Sequence, residues 1–162
     1  MAWRKIPYAD EVGGGPATVK KTADQSNSTT TLADVAGLAF PVLANTDYLF
    51  EFIVVFQTAA TTTGIRLDIN GPSSPTYVVW WREIPLAAQT AGTDNIQDRQ
   101  LVGYQSDAAT GSIGVANQNY VARITGVLSN GANPGTLQLQ FASEVAASAV
   151  TIKKGSLGRL WS

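Results

Sequence analysis

The stretch Asp47-Tyr48-Leu49-Phe50-Glu51-Phe52-Ile53-Val54-Val55-Phe56-Gln57 decides the fold. Read with the period of two that a strand imposes, Tyr48, Phe50, Phe52, Val54 and Phe56 share one face. An aromatic face of that kind belongs in a core. Leu49, Ile53 and Val55 lie on the other face, which is also largely apolar and is expected to be covered by another segment or a partner subunit.

Outward from this strand the same grammar repeats. Ile65, Leu67 and Ile69 alternate with Arg66, Asp68 and Asn70 up to the turn signal Asn70-Gly71-Pro72. Further strands are expected at Tyr77 to Arg82, Tyr120 to Leu128, Leu137 to Phe141, and Val150 with Ile152. The pair flanking Ser129-Asn130-Gly131 and Asn133-Pro134-Gly135 reads as a β-meander. Between Ile84 and Tyr120 long loops with one or two short strands are expected. About eight strands in roughly 140 residues is the number used by an antiparallel jelly-roll sandwich, so the expected class is all-β. Residues 1–22 read as an extended N-terminal arm with a Gly-rich linker, Gly13-Gly14-Gly15-Pro16, and residues 23–162 as the sandwich domain.

Composition removes much of ordinary enzymology. The 162 residues include no Cys and no His, which excludes disulfides, thiolate chemistry, the Ser-His-Asp triad and most transition-metal sites. Eleven basic and twelve acidic side chains give a formal net charge of -1 and show no footprint for nucleic acid or an anionic membrane. The charged fraction of 14% leaves the surface to be wetted by hydroxyls and amides, which suits an extracellular or virion surface. Met1 to Tyr8 is not followed by the apolar run of a signal peptide, so release by lysis or assembly is expected.

The triple glycine lacks the Gly-Lys-Ser/Thr of a phosphate-binding loop, and no pair of acids stands out as a glycanase couple. No catalytic, cofactor-binding or metal residue is therefore expected. Asp94, Asp98 and Asp107 could gather round Ca²⁺ but lack the spacing of a dedicated loop, and solvated residues are the favoured reading. Trp80 and Trp81 must point to opposite faces: one belongs to the core and the other to a subunit contact or a glycan-stacking platform. Glu51 reads as a carboxylate paired with Arg66 or Arg123 rather than as a shifted acid. Asn27-Ser28-Thr29 matches a glycosylation sequon.

The arm carries Trp3, Ile6 and Tyr8 among Arg4, Lys5 and Pro7, three large apolar side chains in a segment too short to bury them itself. They suit either a strand laid on the chain's own body or a docking peptide, each side chain contributing roughly 1.5 to 3 kcal/mol when buried in a partner. Three such arms on one trimer would act together through effective concentration.

The runs Thr22 to Ser26, Gly37 to Val42, Ala44 to Tyr48, Thr61 to Ile65, Asn70 to Pro72, Gly135 to Val145 and Val150 to Ser156 resemble, in this order, a module of tailed-phage and prophage structural proteins. The opening Trp3 to Val12 resembles the short N-termini by which such proteins attach to the particle. A second, architectural likeness is to the trimeric jelly-roll heads of the tumour-necrosis-factor and complement type. The resemblance implies a non-enzymatic virion surface protein, made in the host cytoplasm. It would be a homotrimer docked on the major capsid protein or another virion protein through Trp3, Arg4, Lys5, Ile6, Pro7 and Tyr8, as a capsid decoration or head-fibre protein. Leu49, Ile53 and Val55 would lie near the three-fold axis. The alternative is a tail-associated receptor-binding tip that grips a host surface glycan through Trp80 or Trp81.

Overall fold

A computed structural model describes residues 15–86, 96–106 and 112–162. Among them the chain forms strands and no helix: β1 (Ala17–Lys20), β2 (Gln25–Asn27), β3 (Ala33–Val42), β4 (Asp47–Thr58), β5 (Ile65–Asn70), β6 (Tyr77–Pro85), β7 (Ile96–Val102), β8 (Tyr120–Ser129), β9 (Gly135–Ser143), β10 (Val150–Ile152) and β11 (Leu157–Trp161). Every pairing is antiparallel. The large sheet runs β1-β11-β4-β8-β6-β7, with β10 joining β4 to β2, and the small sheet runs β3-β9-β5.

The alternation of β4 is realised as the sequence dictates. Phe50, Phe52, Val54 and Phe56 are fully buried against Leu38 and Phe40 of β3, Ile65, Leu67 and Ile69 of β5, and Leu137, Leu139 and Phe141 of β9. Phe40 and Phe52 meet across the two sheets with ring centroids 5.9 Å apart, in a tilted arrangement that suits the ring quadrupoles. Gly126 of β8 is needed where the core is tightest, because a Cβ there would lie 2.5 Å from the Trp80 Cβ and 2.6 Å from the Phe50 Cζ.

Several expectations are corrected. Among the described residues the strands number eleven rather than about eight, because β1, β2, β3 and β11 give no clean alternation over their length. Ala17–Lys20 pairs with β11, so the sheet begins inside the stretch read as linker up to residue 22. The strands flanking Ser129 to Gly135 do not form a meander: β8 pairs with β4 and β6, whereas β9 pairs with β3 and β5 in the other sheet. Asn130 anchors this crossing, its Nδ2 donating to the carbonyls of Leu43 and Asn133. In β3 the register shifts between Asp34 and Ala39, where Gly37 has φ of 82°. That irregularity lets Val35 and Leu38, three residues apart, both face the core.

Candidate functional site

The outer face of the large sheet is the feature that the core does not explain. Strand register aligns its side chains in rows. One row crosses five strands as Trp161, Leu49, Val127, Val79 and Val102, all apolar. Leu49, Val127 and Val102 are exposed. The adjacent row is Arg159, Glu51, Thr125, Trp81 and Gln100, and the next begins Leu157, Ile53, Arg123, Glu83.

Glu51 sits among these rows as a neutralised group. Its Oε1 accepts from Arg123 Nε at 2.9 Å and Nη2 at 2.8 Å, and its Oε2 lies 3.5 Å from Arg159 Nη1. The carboxylate is almost covered, while both guanidinium groups stay about half exposed. Of the two partners suggested by sequence, Arg123 is the one engaged; Arg66 stands in the small sheet and donates to the Thr30 carbonyl. Arg159 was not foreseen, because its place beside Glu51 follows from the β11–β4 register and not from local pattern.

The tryptophan pair divides as adjacent strand residues must. Trp80 is 1% exposed, with its indole nitrogen donating to the Gly103 carbonyl at 2.9 Å, whereas Trp81 is 38% exposed on the outer face. Leu49, Ile53 and Val55 share that face with Trp81, as the alternation of β4 requires. The arm residues Trp3, Arg4, Lys5, Ile6, Pro7 and Tyr8 lie outside the described residues, as do Asp94 and Asp107. Among the described residues no group of three or more Asp or Glu side chains could hold a metal ion. The Asn27 amide is engaged: Nδ2 donates to the carbonyls of Thr31 and Phe141, and Oδ1 accepts from the Thr29 amide and hydroxyl.

At one corner of the sandwich, a hollow of about 460 Å³ is lined by Lys20, Lys21, Thr22, Lys154 and Gly155. Sequence reasoning had not singled it out. Lys21 is nearly buried and donates to Gln25 Oε1 at 2.8 Å and the Ala36 carbonyl at 3.1 Å; desolvation pulls its ammonium pKa below the ordinary lysine value, against the pull of Asp24. Asp24 accepts from Lys153 Nζ and the Lys154 amide, which hold its carboxyl below the usual range. These contacts tie the start of β2 to the β10–β11 turn and give the Lys21 and Lys153 side chains a structural role.

Tyr104 packs against Gly71, and burial pushes its phenol up to about 12 from 10.0. The folded chain thus holds this proton more tightly than the unfolded chain. The corresponding stability is complete below the unfolded phenol pKa and is lost as pH rises through the folded one. Tyr104→Phe should flatten the alkaline fall in the urea midpoint relative to the parent chain; parallel curves for the two would contradict the assignment.

No protein-family model matches the chain, and a search of curated proteins finds no match.

Proposed function

We propose that this chain is a non-enzymatic virion structural protein of the tailed-phage kind, most simply a capsid decoration or head-fibre protein, whose jelly-roll body forms a homotrimer. The observation that carries the reading is the apolar row on the outer face of the large sheet, which no described segment covers. It is a feature of surfaces that meet other protein, since a monomer rarely leaves a contiguous apolar patch in water.

The jelly-roll reading is supported by winding. The antiparallel pairs β1 with β11, β3 with β9 and β4 with β8 are nested in sequence and alternate between sheets, as when one long hairpin is rolled up. The departure is β6, which lies beside β8 in the large sheet instead of pairing with β5 to close the small one. Trp81 could serve a glycan only from a flat sheet face among arginines and glutamates, not from a cleft of the kind that ligands favour, so it is read as a subunit contact.

On this reading the particle surface is the working location, and the partners are two further copies and the major capsid protein or another virion protein. Trp3, Ile6 and Tyr8 supply the apolar anchor, Arg4 and Lys5 supply charge, and binding only the assembled shell stabilises it by mass action. The test is deletion of residues 1–12. The expected product is folded, soluble and of unchanged oligomeric state, and it no longer co-sediments with particles. A truncated chain that still sediments with them would overturn the reading.

A further inference from the structure

We propose that the outer face of the large sheet is the surface through which copies of this chain contact one another, with the row Trp161, Leu49, Val127, Val79 and Val102 at its centre and Trp81 beside it. This rests on the homotrimer reading and names the surface that builds it.

Three observations commit the face to a copy of the chain. The first is extent: strands in a sheet lie about 4.8 Å apart, so a row crossing five of them presents an apolar strip roughly 20 Å long. A strip of that length needs an extended apolar neighbour, and around a three-fold axis each copy can offer the next one part of its own sheet face. The second is charge. Arg159 and Arg123 are balanced on this face by Glu51 and Glu83, with Glu51 held by both arginines and Glu83 in register with Arg123. A strongly charged partner finds no excess of either sign there, whereas a copy meets a surface whose charges balance and whose Glu51 is already held by two guanidinium groups. The formal net charge of -1 adds little repulsion between copies.

The third observation is where the chain enters the sheet. Ala17 pairs with Leu160, so the described chain begins beside Trp161, at the rim of the apolar row. The fourteen residues before Gly15 therefore start from the edge of the proposed contact. Copies joined through this face would hold the starting points of their arms close together, as shared docking on one particle requires.

The chain has no Cys, so a single introduced thiol reports accessibility cleanly. Leu49 is 46% exposed on the face and Val145 is 42% exposed away from it, so in a separated chain Leu49→Cys and Val145→Cys should react with a maleimide at similar rates. In the associated protein, with mass followed by light scattering, Leu49→Cys should react at least about tenfold more slowly, because thiol reactivity follows access. Val127→Cys serves as a second face position should the first disturb folding.

An oligomer in which face and control thiols react alike would overturn this surface and leave the homotrimer standing. A monomer with equal rates would overturn both. A monomer with a protected Leu49→Cys would mean that the chain's own N-terminal segment covers the row. Protection gained only on the particle would assign the face to another virion protein. Either of the last two outcomes overturns the proposal.

Discussion

Trp80→Ala is expected to destabilise the folded chain by about 3 to 5 kcal/mol, the range for emptying a large aromatic site in a packed core. The side chain is fully enclosed, and Gly126 exists in its present form so that the Trp80 Cβ and the Phe50 ring can approach the β8 backbone. Alanine would leave a cavity that this rigid neighbourhood cannot close, and the Gly103 carbonyl would lose its indole donor, a further loss of about 1 kcal/mol. Domains of this size have only about 5 to 15 kcal/mol of stability in all, so the variant should be marginal at physiological temperature. Trp81→Ala, on the outer face, should change the unfolding free energy of the separated chain by about 0.5 kcal/mol or less, read from urea titration, as surface changes do. Equal shifts for the two tryptophans would refute the division of the pair between core and surface.

That division is legible in the sequence alone, because the two-residue period of a strand leaves adjacent side chains no choice of face. The same holds for β5 and β9, whose apolar residues alternate with polar ones over at least five residues, and for β4, whose aromatic residues all fall on one face. β3 was not legible as a strand for the opposite reason. Its irregularity at Gly37 changes parity, so Val35 and Leu38 fall out of step, and Pro41 reads locally as a breaker although it sits at the sheet edge. Short strands such as β1 and β2 carry too few residues for a period to declare itself. They exist because a neighbour supplies their hydrogen bonds.

The candidate site divides in the same way. Leu49, Ile53 and Val55 could be assigned to an outer apolar face from β4 alone. Trp161, Val127, Val79 and Val102 could not be placed beside them, because a row across five strands is a statement about register between segments far apart in sequence. Glu51 shows the limit within one residue: a partner across the sheet was expected, and Arg123 is one, yet the second guanidinium comes from the last strand of the chain. Local pattern tells which side a residue faces. Only the winding of the chain tells which residues it meets there.

On the proposed reading, a peptide of residues 1–16 should bind particles roughly 10²- to 10⁴-fold more weakly than the proposed homotrimer does, the usual gain from linking sites. Trp3, Ile6 and Tyr8 each contribute about 1.5 to 3 kcal/mol on burial, while ordering a free segment and fixing it on a partner costs about 4 to 15 kcal/mol. One arm is thus close to break-even. Once the first arm of a trimer is seated, the others search a small volume set by the linker around Gly13, Gly14 and Gly15, where the effective concentration is on the order of millimolar. The same reasoning applies to separated subunits: a Leu49→Lys, Val127→Lys chain, kept apart by like charges on the apolar row, retains its arm and should still fall to the peptide's affinity. Co-sedimentation titrations against particles stripped of the protein measure all three. A peptide as tight as the whole assembly would show that one arm suffices, and that grouping the copies serves the shell in some way other than binding strength.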